Sequence, residues 1–211
     1  MGNLLSHVRF ADLSEVGGVR YETFFDSIDG WTKVVSGGGS VELSPGWVDI
    51  YGASVPAGYA RLYKLMNYQY WLPKWNQKRK VRTSIYVEFP AGGDDDNYFG
   101  TGNLPPVAPS FGFRIKSNGL YAYSANADGV KEEPVVVGKT PPWTDQFSLE
   151  ATFHPLSKIQ FLINEAIPIN IFEKLPVGDD DSCIPLFWIA GGSDNGPIWL
   201  QFGSALFFQD L

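Results

Sequence analysis

The sequence predicts an all-β protein, and three observations support this fold class. Only 18% of the 211 residues are charged and 15% are aromatic, whereas an average soluble domain is about 25% charged. The chain contains 23 glycines and 15 prolines, and its longest stretch without either runs only from Lys74 to Phe89, which leaves little room for long helices. Within that stretch, Val81 to Phe89 alternate apolar and polar residues with a period of two, the pattern of a strand with one buried face.

Short apolar runs separated by clusters of turn-forming residues predict the other strands. In chain order, the predicted strands are Trp31–Val35, Ser40–Leu43, Trp47–Tyr51, Ala60–Leu65, Val81–Phe89, Phe111–Lys116, Leu120–Ser124, Phe147–Phe153, Lys158–Asn164, Ile167–Phe172, Leu186–Ala190 and Ile198–Gln209. Asn118-Gly119 is the strongest hairpin signal, because tight turns favour residues that tolerate positive φ. Residues Gly92 to Pro109 are predicted to form one long insertion. Glu132-Glu133, which precede a proline, are predicted to be a solvated pair in a loop.

This number of short strands favours a two-sheet antiparallel jelly-roll sandwich. We expect residues 21–211 to form the sandwich as one domain, because no linker or internal repeat interrupts them. Residues 1–20 are expected to form an N-terminal arm or a short helix. The single Cys183 excludes an intrachain disulfide, so stability has to come from the size of the core.

Net charge and hydropathy limit the expected partners. The 23 acidic and 16 basic residues give a formal net charge of −7, which disfavours non-specific binding to nucleic acid or anionic lipid. No stretch approaches the roughly 20 consecutive apolar residues that a membrane helix requires, so no membrane insertion is expected. The N-terminus shows no signal-peptide pattern, and we expect cytoplasmic synthesis followed by a location in a virion or outside the cell.

The order of several segments matches that of a known superfamily. The segments are Phe24–Trp31, Gly37–Leu43, Trp47–Tyr51, Phe111–Ile115, Leu120–Tyr123, Phe147–His154, Ile159–Asn164 and Leu175-Pro176, with a long closing strand at Ile198–Gln209 that returns beside the first. This order resembles the concanavalin A-like lectin and glucanase jelly rolls, which share their sandwich with laminin-G-like domains. The resemblance implies the fold, whereas the function is open, because lectins, polysaccharide-binding modules, glycosidases, lyases and structural particle proteins all use it.

No catalytic signature of high specificity is present. Glycosidases of this superfamily carry two carboxylates on one strand in an E-x-D-x-x-E motif, which this sequence lacks; Glu22 with Asp26 is the nearest candidate. Neither of the two histidines, His7 and His154, lies near a G-x-S-x-G nucleophile elbow. We therefore predict that the protein is not an enzyme.

An aromatic-rich segment is the predicted binding surface. Between Tyr59 and Trp75, tyrosine and tryptophan rings are interleaved with amide and basic side chains, a mixture suited to stacking on sugar faces and hydrogen bonding sugar hydroxyls. The predicted ligand-binding residues are Tyr63, Tyr68, Tyr70, Trp71, Trp75, Asn76 and Arg79. The alternative is that these rings form the core and rim of the sandwich.

No cofactor is expected apart from a candidate calcium ion. Three loops are rich in acidic or amide residues, and hard cations prefer such oxygen ligands. These loops are Asp94–Asn97, Asp179–Ser182 and Ser193–Gly196. None of them has EF-hand spacing. We favour Asp179, Asp180 and Asp181 as calcium ligands because their loop is short.

The functional hypothesis is a non-catalytic structural or recognition protein of a virus or phage particle, at the capsid surface, the spike or the tail. It follows from a fold that is normally deployed outside cells, combined with the lack of a visible signal peptide. A free carbohydrate-binding module is the alternative, and a glycoside hydrolase or polysaccharide lyase is the third hypothesis. The expected partners are copies of the chain in a homo-oligomer, other particle proteins, or a glycan.

Overall fold

The fold is given by a computed structural model that describes residues 18–53, 55, 58–65, 75–93, 95–104, 108–177, 184–192 and 198–210. Within these residues there are fifteen strands, and no helix has the length and hydropathy needed to cross a membrane. The strands are β1 (Gly18–Thr23), β2 (Trp31–Ser36), β3 (Ser40–Ser44), β4 (Trp47–Tyr51), β5 (Tyr59–Lys64), β6 (Arg79–Phe89), β7 (Asn97–Gly102), β8 (Ser110–Lys116), β9 (Gly119–Asn126), β10 (Gly129–Val137), β11 (Trp143–His154), β12 (Lys158–Ile163), β13 (Ile169–Ile171), β14 (Ile184–Gly191) and β15 (Trp199–Asp210).

The strands form two antiparallel sheets, which confirms the predicted all-β sandwich. The eight-stranded sheet has the order β13-β12-β11-β6-β15-β4-β3, with β1 also paired to β15. The seven-stranded sheet has the order β10-β9-β8-β7-β14-β5-β2. The two sheets pack face to face. The face of each sheet that points away from the other sheet is called its outer face below.

The closing strand β15 organises the eight-stranded sheet. It pairs with β6 on one side from Trp199 to Gln209. On the other side its first part pairs with β4 and its second part with β1, so that Gly18 lies opposite Asp210. The last strand therefore returns beside the first, as expected. Strand β1 begins before the predicted boundary at residue 21, and residues 1–17 of the predicted arm lie outside the described residues.

Aromatic rings fill the space between the sheets. Trp188 of β14 is fully buried and contacts Phe25, Trp31, Phe99 and Phe202 at ring-centroid distances of 4.9 to 5.8 Å. Rings from both sheets take part, because β7 supplies Phe99 and β15 supplies Phe202. Each buried aromatic side chain removes about 150–250 Å² from water, so this layer provides much of the cohesion between the sheets.

The predicted insertion at residues 92–109 contains a central strand. Strand β7 lies between β8 and β14, and all six of its residues are buried. Phe99 faces the core between the sheets, whereas Tyr98 is covered by a second apolar cluster on the outer face. Because both faces of β7 are covered, its sequence shows no alternation and gives no strand signal.

The predicted loop around Glu132-Glu133 is strand β10, at the edge of the seven-stranded sheet. The proline that suggests a loop, Pro134, is accommodated by a register shift between Pro134 and Val136. Prolines are tolerated at edge strands and bulges because the missing N–H interrupts no inner ladder. The expectation of a loop is therefore wrong for this segment.

Truncation of Phe161 tests the packing between the sheets. This fully buried ring of β12 meets Phe113 of β8 edge to face at a centroid distance of 5.3 Å. Phe161→Ala is expected to lower the free energy of unfolding by about 3–5 kcal/mol, because it leaves a cavity between the sheets. Phe24→Ala, at a ring that is 62% exposed, is the matched control and is expected to change it by less than about 0.5 kcal/mol. Denaturant unfolding followed by tryptophan fluorescence measures both, and equal losses would contradict this packing.

Candidate functional site

Strand register places polar and aromatic side chains together on the outer face of the seven-stranded sheet. In β8, Phe111 and Phe113 point into the core, so the residues that alternate with them face outward. Arg114 is one of these outward residues. It pairs with Tyr98 of β7 on one side and with Tyr121 of β9 on the other, which brings three long side chains into one row.

The adjacent row of outward-facing residues begins with two glycines. Gly100 of β7 pairs with Gly112 of β8, Gly112 pairs with Tyr123 of β9, and Tyr123 pairs with Glu132 of β10. A Cβ at Gly100 would lie 2.3 Å from the carbonyl oxygen of Phe111, and one at Gly112 would lie 2.1 Å from a carbonyl oxygen of β7. The two backbones are too close for any larger residue, so the sheet surface is depressed along this row.

A cavity of about 450 Å³ lies on the same outer face. Its lining residues are Asp96, Tyr98, Ser110, Arg114, Tyr123, Ala125, Val130 and Glu132. Together they supply two phenol rings, a small apolar wall, one guanidinium, two carboxylates and one aliphatic hydroxyl. The volume falls in the range of roughly 300–1,000 Å³ that is common for small-molecule sites.

Arg114 is fixed at the edge of the cavity from three directions. Its Nη1 donates to Glu132 Oε1 at 2.7 Å, and its Nη2 donates to Asp96 Oδ1 at 2.8 Å. Its Nε donates to the backbone carbonyl oxygen of Asp95 at 2.9 Å. Lys116 donates to the second carboxylate oxygen of Glu132. Two cations and two carboxylates therefore neutralise one another through charge-assisted hydrogen bonds.

These contacts keep Glu132 and Arg114 in their charged forms at neutral pH. Burial by itself would raise the pKa of Glu132, but hydrogen bonds from Lys116 and Arg114 outweigh burial and lower this pKa below its ordinary value of 4.5. Burial also opposes the charged form of Arg114, but the hydrogen bond and charge of Glu132 raise the pKa of the guanidinium. Both groups are therefore ionised around neutral pH.

The two cavity tyrosines are neutral hydrogen-bonding groups whose rings meet edge to face at 5.4 Å. Burial raises the pKa of Tyr98 far above its ordinary range, against the opposing charge of Arg114, and the Tyr98 hydroxyl donates to Asp96 at 3.2 Å. Tyr123 is only 2% exposed. Burial raises the pKa of Tyr123 as well, and the Ser110 hydroxyl offsets only part of this rise. The Tyr123 hydroxyl makes no hydrogen bond of normal geometry within the described part of the chain.

A second apolar cluster extends from the cavity across the same outer face. Its buried members are Tyr98, Tyr123, Ile184, Phe187 and Ile189. Tyr63 of β5, one of the predicted ligand-binding residues, is half-buried against this cluster and lies opposite Phe187 in the pairing of β5 with β14. Tyr63 thus shares the face of the cavity without being among its lining residues.

Two predicted ligand-binding residues lie inside the sandwich. Trp75 is 2% exposed and packs against Phe111 and Phe153, so the ring expected at the surface belongs to the core. Arg79 is fully buried, with its guanidinium carbon 3.9 Å from the centroid of the Trp75 ring. The alternation of β6 explains this correction, because Arg79 is in phase with the inward-facing Val81.

The remaining predicted residues are exposed or lie outside the described ranges. Asn76 is exposed in the turn that follows Trp75. The residues outside the described ranges are Tyr68, Tyr70 and Trp71 of the binding surface and Asp179, Asp180 and Asp181 of the candidate calcium site, which stay predictions. In the part of the chain that the structure describes, no group of three or more His, Cys, Asp or Glu side chains is placed to hold a metal ion.

Glu132 is a cavity residue that sequence reasoning places wrongly. Its side chain is 22% exposed and binds Arg114 and Lys116, instead of being a solvated loop residue. The outward phase of Arg114 and Lys116 is readable from the alternation of β8. Their carboxylate partner is not readable, because the pairing of β10 with β9 is needed to bring Glu132 beside them.

Several solved structures have a similar fold. A protein of unknown function from Shewanella oneidensis matches with a TM-score of 0.62 and 11% identity over 92% of this chain and 87% of that chain. Peanut lectin matches with a TM-score of 0.58 and 12% identity over 91% of this chain and 97% of that chain. The carbohydrate recognition domain of Emp47p matches with a TM-score of 0.54 and 9% identity over 87% of this chain and 90% of that chain. The chain therefore has the concanavalin A-like lectin fold that the sequence resemblance implies.

A structure of botulinum neurotoxin type C, described as interacting with two ganglioside molecules, is also similar. Its TM-score is 0.57 at 15% identity, and the match covers 84% of this chain and 43% of the toxin chain. No protein-family model matches the sequence, and no curated protein matches it either. At these identities the similarities show the fold alone.

The ion pairs of Glu132 predict a specific pH dependence of stability. Because the folded-state pKa of Glu132 is lowered, its stabilising contribution is complete above about pH 4.5 and is lost as the pH falls through the folded-state value. Glu132→Gln is expected to be less stable than the wild type by about 1–2 kcal/mol at pH 7 and to converge with it as the pH falls below the folded-state pKa of Glu132.

Glu133→Gln on the same strand is the matched control, because Glu133 is 39% exposed and pairs only with the surface residue Lys131 among the described ion pairs. Urea unfolding at a series of pH values measures all three proteins. Parallel stability curves for the wild type and Glu132→Gln would contradict the assigned ion pairs.

Proposed function

We propose that this protein is a non-catalytic recognition protein that binds carbohydrate in the cavity lined by Tyr98, Arg114 and Tyr123. The observation that carries the proposal is the lining of the cavity, where phenol rings and an apolar wall of Ala125 and Val130 face hydroxyl, carboxylate and guanidinium groups. Sugars have apolar C–H faces and polar edges, so such a lining complements them. The lectin and the carbohydrate recognition domain that share this fold support the same function.

The charge state of the cavity supports binding rather than hydrolysis. Glycosidases of the common type need a protonated carboxylic acid beside a second carboxylate. The lowered pKa of Glu132 keeps it ionised at neutral pH. The guanidinium of Arg114 also bridges Glu132 and Asp96, where a scissile bond between two catalytic carboxyl groups would have to lie.

The proposed setting is the surface of a virus or phage particle, in which copies of the chain assemble and present the cavity. Leu156, Ile167 and Phe172 are 86%, 88% and 66% exposed around the edge strand β13. Leu156 and Phe172 lie at the same end of the β12–β13 hairpin, because Ile159 pairs with Ile171. Clustered exposed apolar side chains are typical of association surfaces, which supports a homo-oligomer. A free carbohydrate-binding module is the alternative.

A carboxylate placed on the apolar wall tests where the glycan binds. Val130 lines the cavity and is 54% exposed on β10. Val130→Glu is expected to weaken binding to glycans identified on an array by at least about tenfold, because ligand binding would desolvate the new charge. Val137→Glu, at a residue that is 60% exposed on the same strand, is the matched control and is expected to leave the affinity unchanged.

Titration calorimetry on the array-positive glycans measures both variants. Equal affinities for Val130→Glu and Val137→Glu would contradict the cavity as the binding site. An array without any bound glycan would contradict carbohydrate recognition. Release of reducing sugar from a polysaccharide panel would support the hydrolase alternative instead.

The oligomeric state separates the particle setting from the free module. A particle protein that assembles through surfaces such as the one around β13 is expected to form a stable homo-oligomer in solution. Light scattering coupled to size-exclusion chromatography measures its mass. A monodisperse monomer that binds glycans would support the free module and contradict assembly.

A further inference from the structure

We infer that the cavity selects uncharged sugar rings over acidic ones. This inference rests on the proposed carbohydrate-binding function and adds the class of sugar to it. Two independent features of the cavity carry it, which are the neutralised guanidinium at its edge and the apolar wall beside the Tyr123 ring.

The first feature is the charge balance. Proteins bind acidic sugars through cations that are free to pair with the ligand carboxylate. Among the described lining residues Arg114 is the only cation, and it already donates to Glu132 at 2.7 Å and to Asp96 at 2.8 Å. An acidic sugar would have to displace one of these carboxylates, or place its own negative charge beside both of them. Either event disfavours binding, because the repulsion acts in a partly buried site of low effective dielectric.

Lys116 does not relieve this repulsion. Its ammonium donates to the other oxygen of Glu132 and lies 4.5 Å from the centroid of the Tyr121 ring. Its side chain is 18% exposed. The charges of Arg114, Lys116, Asp96 and Glu132 sum to zero, so the network offers an incoming anion no excess positive charge.

The second feature is the apolar wall. Ala125 and Val130 pair with each other across β9 and β10 and line the cavity beside Tyr123. A sugar ring has an apolar C–H face that suits this wall, and hydroxyls at its edge that can donate to the carboxylates of Asp96 and Glu132. A neutral pyranose therefore matches the lining better than an anion does.

Pairs of sugars that differ only in a hydroxymethyl group against a carboxylate at C6 test the class of ligand. Methyl glucoside against methyl glucuronide and methyl galactoside against methyl galacturonide are compared by saturation-transfer NMR and calorimetry, beside a glycan array. The neutral member of the pair that binds is expected to bind at least about tenfold more tightly. Tighter binding of the acidic member would overturn this inference while leaving carbohydrate recognition in place. A lack of binding to every glycan on the array would overturn the proposed function together with it.

Discussion

The buried aromatic layer between the two sheets is the constraint on which the rest of the structure depends. Trp188 lies at its centre, in contact with rings of both sheets such as Phe99 and Phe202. Successive side chains of a strand point to opposite faces, so each ring that enters this layer assigns its neighbours to the outer face. Tyr98 faces outward because Phe99 faces inward, and Arg114 faces outward because Phe113 does the same. The composition of the outer face is therefore a consequence of core packing.

The cavity adds a second constraint to this alternation. The backbones of β7 and β8 approach so closely that only glycine fits at residues 100 and 112, and the Tyr123 hydroxyl lies against Gly100, where a side chain would otherwise stand. Arg114 then links the segment before β7 to β8 and to the edge strand β10 through Asp96 and Glu132. Walls that are cross-linked in this way are preorganised, which reduces the ordering cost of binding a ligand.

The similarities to solved structures are similarities of the sandwich. Identities of 9% to 15% with lectins and toxin structures are sufficient to preserve two packed sheets. Outer-face side chains contribute little to the packing between sheets and are therefore free to differ between proteins of one fold. The fold consequently does not specify the cavity, which is lined by this chain's own tyrosines, its arginine and the carboxylates around them.

Local patterns in the sequence determined the all-β class, most strands, and the inward phase of β6 and β8, because alternation and turn chemistry act over a few residues. The inward phase of β6 extends to Arg79. This residue therefore lies in the core, although its basic and aromatic neighbours in the sequence predict a binding surface. Tertiary structure alone decided that β7 and β10 are strands and that the cavity exists. Arg114 meets Asp96 and Glu132, each 18 residues away along the chain. Such contacts depend on which strands become neighbours, and no local pattern in the sequence specifies that order.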